Sequence, residues 1–232
     1  MRKFTKLVLG VALFSIMAIA CKQAKEGDNA KEAAKEQTET KAEESETIVT
    51  KAERVLNANL ATEEELNAIG LSSEMVAQVV ENRPFLSMND FDALLGAEVD
   101  KEELYKKVFV PFNLNTTAEA DFKMIPGVGD RMAHEFEEYR PYTSIQQFRR
   151  EIGKYVDEDE VARYEYYVFV PVELNTASEE DIKALPGVGD RMAHEFEEYR
   201  PYTSMAQFRK EIGKYVDDKE LARLERFVYL KE

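Results

Sequence analysis

Two identical tripeptides carry the most specific chemistry in this chain. Gly127-Val128-Gly129 and Gly187-Val188-Gly189 are each followed by an aspartate and then by Arg131 or Arg191. Glycines at this spacing leave successive backbone N–H groups open to an anion, and a helix starting just beyond adds its positive end. Phosphate fits that description. Further along stand two basic sets, Arg149/Arg150/Lys154 and Arg209/Lys210/Lys214, which could neutralise more phosphates. His134 and His194 are the only histidines, flanked by Glu135/Glu138 and Glu195/Glu198. A metal centre needs three or four converging ligands and the sequence secures two, so no metal is expected. No Ser/His/Asp set, metal triad or phosphate-loop lysine is present. The expectation is therefore no catalytic residue, no enzyme activity, no cofactor and no small-molecule substrate.

The elements that must position these residues recur. Pro126 to Ser144 reappears unchanged as Pro186 to Ser204, and Glu151–Asp157 as Glu211–Asp217. A fainter copy precedes them: Arg83-Pro84-Phe85 answers Arg140-Pro141-Tyr142, and Val108-Phe109-Val110-Pro111 answers Val168-Phe169-Val170-Pro171. The repeats run over 55–112, 113–172 and 173–232, long enough for each to fold marginally and for neighbours to share buried surface.

Within a repeat, Ile182, Leu185, Met192, Ala193 and Phe196 give an apolar face on either side of the Pro-Gly-Val-Gly break. Both glycines of the break are expected to take backbone angles closed to other residues, with Asp190 as the N-cap of the next helix. Arg200-Pro201 ends that helix. Ser204-x-x-Gln207, Ser144-x-x-Gln147 and Ser87-x-x-Asp90 read as capping boxes opening the one after. A weaker break at Ile212-Gly213-Lys214 precedes a last helix from about Asp217 to Arg226. Tyr139, Tyr142, Tyr155, Tyr164, Tyr166 and Tyr167 read mainly as core or interface. Val168-Phe169-Val170 is β-branched and apolar, but Pro171 cuts it short. The fold class expected is all-α.

Leu174-Asn175-Thr176-Ala177, Leu185-Pro186-Gly187-Val188-Gly189 and Arg200-Pro201-Tyr202-x-Ser204 together resemble the helix-hairpin-helix domain of the ComEA family of DNA-uptake receptors. The resemblance covers residues 55–232 in three copies. It implies paired helical hairpins and sequence-independent DNA binding, with hairpin backbone amides donated to phosphate. The first copy, through Leu56-Asn57-x-Asn59 and Asn82-Arg83-Pro84-Phe85-x-Ser87, also resembles the extrinsic PsbU-type subunit of photosystem II, which implies docking on proteins. Asp157 and Asp217, in Lys-Tyr-Val-Asp, superficially resemble the aspartate of helix-hairpin-helix glycosylases. Units of this size lack the deep pocket that a flipped base requires.

Charge pulls against DNA. The formal net charge is −15, and each repeat is acidic, with eleven acids to four bases, twelve to seven, and fourteen to ten in chain order. Affinity for phosphate comes from basic side chains releasing counterions, so only a local basic face could serve. Two partners remain open, the DNA backbone or a protein of the cell envelope.

The N-terminus gives the location. Arg2, Lys3 and Lys6 precede an apolar run from Leu7 to Ala20, too short to span a bilayer comfortably, and Cys21, the single cysteine, follows at once. Ala18-Ile19-Ala20-Cys21 resembles a bacterial lipobox, in which the cysteine is acylated. Residues 1–20 are expected to be a lipoprotein signal, and residues 21–54 the acylated cysteine and a charged flexible tether. The implied location is the bacterial cell envelope, periplasmic or surface-exposed, held to the membrane by lipid.

Overall fold

The computed structural model of the chain describes residues 54–231. The signal, Cys21 and nearly all of the tether lie outside the described residues. Among those residues no helix is long and apolar enough to cross a membrane.

Twelve helices are found among the described residues, four to each sequence repeat. They are α1 (Glu63–Ala68), α2 (Ser73–Glu81), α3 (Met88–Leu94) and α4 (Lys101–Tyr105) in the first. The second has α5 (Glu119–Phe122), α6 (Asp130–Glu138), α7 (Ile145–Ile152) and α8 (Glu158–Tyr164). The third has α9 (Glu179–Lys183), α10 (Asp190–Glu198), α11 (Met205–Ile212) and α12 (Asp218–Glu225). At these lengths propensity alone does not hold a helix, so caps and burial must. Ser87 and Asp90 form the expected capping box, with bonds of 3.1 and 2.9 Å. Ser144 and Ser204 cap the amides of Gln147 and Gln207 at 3.1 and 3.2 Å. The glutamine side chains, however, reach one residue further back, accepting from Thr143 and Thr203 N–H at 2.9 Å.

The fold is mostly helical but not purely so. Each repeat closes on a two-residue parallel ladder between its first and last segments. β1 (Leu56–Asn57) pairs with β2 (Val108–Phe109), β3 (Phe112–Asn113) with β4 (Val168–Phe169), and β5 (Val172–Glu173) with β6 (Val228–Tyr229). The all-α expectation missed these because two residues show no alternation. Pro111 and Pro171, which lack an N–H, fall between consecutive strands instead of within one.

Apolar side chains at helical spacing fill two cores. One runs through the first two repeats and includes Leu66, Phe91, Phe109, Phe122, Phe136 and Phe148. The other is mainly that of the third, with Ile182, Leu185, Phe196, Phe208 and Phe227, joined by Phe169 and Val172 from the end of the second. Edge-to-face rings link Tyr105, Phe109, Phe112, Phe122 and Phe136, with centroids 5.7, 5.2, 5.8 and 5.3 Å apart. Burying each such side chain contributes on the order of 1.5–3 kcal/mol.

A polar clamp recurs three times and fixes each hairpin against its repeat's entry strand. Asn59, Asn115 and Asn175 each exchange two hydrogen bonds with the backbone of Phe85, Tyr142 and Tyr202. Arg83, Arg140 and Arg200 each donate to two carbonyls, Ala58 and Ala61, Leu114 and Thr117, and Leu174 and Ala177. These are the Asn and Arg-Pro positions that carried the family resemblance. Their work here is internal.

Candidate nucleic-acid interface

The two glycines of each hairpin do different work. Gly127 and Gly187 have φ of +82° and +73°, the left-handed region, where a side chain would be strained. Gly129 and Gly189 have φ of −95° and −93° with extended ψ, which any residue adopts. A methyl group placed on either would meet nothing within 4 Å. Neither conformation nor packing therefore demands the second glycine, contrary to the sequence expectation for both.

Gly129 and Gly189 are the N-caps of α6 and α10, and neither helix has a side chain capping its first turn. Asp190, expected as the cap, is the first helical residue; its carboxylate turns away to Lys183 at 2.9 Å. Asp130 likewise pairs with Lys123 at 2.9 Å, which holds the Asp130 carboxyl below its ordinary range. The first repeat is the contrast. Ser72 stands where the second glycine would be, and its hydroxyl accepts from Met75 N–H at 3.2 Å. That hairpin supplies its own acceptor, whereas the other two leave the equivalent amides to solvent or a ligand.

The buried Val128 and Val188 anchor the hairpins from inside. Behind them lie arginines that the sequence reading overlooked. Arg163 pairs with Glu160 at 2.7 Å and packs over the Tyr164 and Tyr167 rings. Arg223, almost wholly buried, pairs with Glu220 and donates to the Pro186 carbonyl at 2.6 Å. Their signal was the i, i+3 pairing of Glu160 with Arg163 and of Glu220 with Arg223, which reads as an ordinary surface ion pair; the tertiary fold buries Arg223 and leaves Arg163 partly exposed.

The two identical hairpins also differ in surroundings. A methyl on Gly187 would come within 2.5 Å of Leu60 Cδ1, from the first repeat, whereas at Gly127 the nearest group is Arg163 at 3.4 Å.

The basic residues divide. Arg131 lies over the Tyr155 ring at 5.8 Å, Tyr155 shares a 2.7 Å hydroxyl bond with Tyr139, and Lys154 lies 4.9 Å from the Tyr139 ring. Arg131 and Lys154 are thus joined through a tyrosine pair that runs from the first hairpin to the second. Lys214, Tyr199 and Tyr215 repeat the second half of that strip. Arg191 is exposed.

Arg149 is instead committed to Glu165 by two bonds of 2.7 and 2.8 Å, and Arg209 to Glu225 at 2.8 Å. Arg150 and Lys154 both pair with Glu151, and Lys210 and Lys214 with Glu211. Lys154 and Arg150 hold the Glu151 carboxyl below the usual carboxylate range, and Lys214 does the same for Glu211. The two basic sets are largely neutralised by neighbours that the linear pattern did not reveal.

Asp157 and Asp217 are helix N-caps, accepting from Glu160 and Glu220 N–H at 2.9 and 2.8 Å. His134 bridges Glu119 and Glu138 at 3.2 and 3.3 Å. Among the described residues no group of three or more His, Cys, Asp or Glu converges as a metal site would.

Residues 168–229, which take in the end of the second repeat and nearly all of the third, match the family model of the helix-hairpin-helix motif. No curated protein and no solved structure matches the chain.

Proposed function

We propose that this chain is a non-catalytic, envelope-anchored array of three helix-hairpin-helix units that binds duplex DNA without regard to sequence, in the manner of the ComEA family. One observation carries the reading. In the second and third repeats a glycine that the fold does not require leaves the first turn of a nine-residue helix uncapped, as a close phosphate contact demands. The helix-hairpin-helix match at residues 168–229 supports it. So does Arg131, which lies over the Tyr155 ring just past the hairpin and is not among the cations paired with glutamates. Acylation at Cys21 would hold the array to a bacterial membrane. Mass spectrometry of native membrane protein tests that, with Cys21→Ser releasing the chain.

The DNA test is fluorescence anisotropy of the full-length protein with a labelled random duplex at about 50 mM salt. Log affinity should fall linearly with log salt, by about 0.9 per phosphate neutralised. Arg131→Glu with Arg191→Glu should flatten the slope, whereas Arg149→Glu should change it little because Glu165 already neutralises that arginine. A second reading, a protein-docking scaffold, is favoured by the glutamates that pair most of the basic clusters. Absence of DNA binding at low salt would select it.

A further inference from the structure

The junctions between successive repeats are unequal. Between the second and third, Ile145 N–H donates to Asp181 at 3.2 Å and Gln146 bonds Glu180, which closes the seam. At the first junction Asn89 stands where Gln146 does, and Ala120 where Glu180 does. No equivalent bonds form there among the described residues. A cavity of about 470 Å³ opens instead, lined by Ser87, Asn89, Thr116, Thr117 and Asp121, with Phe112 and Phe169 in its wall.

Arg226 of the third repeat reaches into this cavity. Tyr166 and Lys106 hold the matching positions in the other repeats, so the arginine is particular to this place. Its guanidinium lies over the Phe169 and Phe227 rings, 5.6 and 5.8 Å from their centroids. Its only hydrogen bonds among the described residues are long ones, 3.3 Å each, to the Phe85 and Pro111 carbonyls. Arg83, Arg140 and Arg200 sit on closer carbonyls, and Arg163 and Arg223 pair with glutamates. Arg226 has neither, and its Nε–H and one hydrogen on each terminal nitrogen remain to be used. The side chains of Asn89, Thr116 and Thr117 likewise make no hydrogen bond within the described residues.

A partly buried guanidinium with no carboxylate bonded to it is costly to keep, and Asp90 acts on Arg226 only through space. Burial, with Arg223 nearby, pushes Arg226 down to about 10. An anion at the guanidinium would reverse both effects, and the planar fork accepts two oxygens of a phosphate or carboxylate at once. Asp121 on the same wall adds a second requirement, a hydrogen-bond donor on the ligand. The volume suits a small organic molecule.

We propose that this junction cavity binds a small hydroxylated organic anion, whose phosphate or carboxylate is held by Arg226 and whose body meets Thr116, Thr117, Asn89 and Asp121. The site lies apart from the hairpin glycines, so its occupancy does not depend on DNA binding.

Titration of ¹⁵N-labelled full-length protein with inorganic phosphate, glycerol 3-phosphate and glycerate tests it. Saturable shifts are expected at residues 87–89 and 116–118, and the phosphate and carboxylate arms tell which oxyanion is preferred. Arg226→Gln should weaken binding at least tenfold, roughly the loss of one charge-assisted hydrogen bond. Because Arg226 also touches the first repeat, Thr117→Val with Asn89→Ala is the parallel variant, and weaker binding is expected there with the fold intact. Gly129→Ser should leave the shifts at residues 87–89 and 116–118 unchanged. Shifts that fail to saturate, that centre on residues 127–129 and 187–189, or that survive both cavity variants would overturn the proposal. A cavity that titrates in a protein that does not bind DNA would leave this site standing and remove only the DNA reading.

Discussion

Serine placed at Gly129 and Gly189 should make this protein more stable and worse at holding phosphate. Both glycines already have the extended backbone of an N-cap, and an added Cβ meets nothing within 4 Å. The first repeat shows the outcome, since Ser72 occupies the same place and takes the Met75 amide at 3.2 Å. A serine cap exceeds glycine by only a few tenths of a kcal/mol, so the double variant gains on the order of 0.5–1 kcal/mol. In a domain of this size that raises Tm by about 1–4 °C. The new hydroxyl would occupy the first-turn amides that a phosphate needs. Losing a charge-assisted bond costs about 1.5–3 kcal/mol, close to tenfold or more per hairpin. Calorimetry and low-salt duplex anisotropy on the same preparations read the two effects. A variant that gains stability but binds DNA as the natural chain does would show that the hairpin amides are not the contact. A variant that loses stability would refute the capping argument itself.

Asn175→Ala should cost on the order of 2–5 kcal/mol in urea unfolding, because the buried Tyr202 loses partners for both its N–H and its C=O; a cost under 1 kcal/mol would mean the clamp is incidental. Gly187→Ala should be more destabilising than Gly127→Ala, since both strain a positive φ at about 1–2 kcal/mol but only Gly187 also meets Leu60. Adding Leu60→Gly should remove the difference, and equal costs without it would contradict the contact. The hydrogen bond to Glu119 raises the His134 imidazole above its ordinary range. The small stability it lends is therefore complete below the unfolded pKa and lost as pH rises through the folded one. NMR titration should show His134 falling in Glu119→Gln, and an unmoved midpoint would dismiss the pairing.

The hairpins were legible because glycine, proline and the flanking apolar spacing are local signals. Which glycine serves the fold was not, since Gly127 and Gly129 are chemically identical and only the backbone distinguishes them. The basic clusters were legible as charge but not as pairs: Glu165 lies sixteen residues from Arg149, at the C-terminal end of the next helix. The ladders escaped because each joins two-residue segments from opposite ends of a repeat. Arg226 was invisible as a junction residue, because its carbonyl partners lie 141 and 115 residues earlier and no periodicity spans such distances.

The parallel ladders have a mechanical consequence. In each repeat the chain enters along one strand and leaves along its parallel neighbour. Tension between the two ends draws the entering strand backward and the leaving strand forward, so the force runs along the strands and crosswise to their hydrogen bonds. Those bonds must then shear together, because none can be peeled open ahead of the others. With Val110-Pro111 and Val170-Pro171 joining one ladder to the next, the chain carries three such fasteners in series, each of which must slip before the helices behind it can unravel.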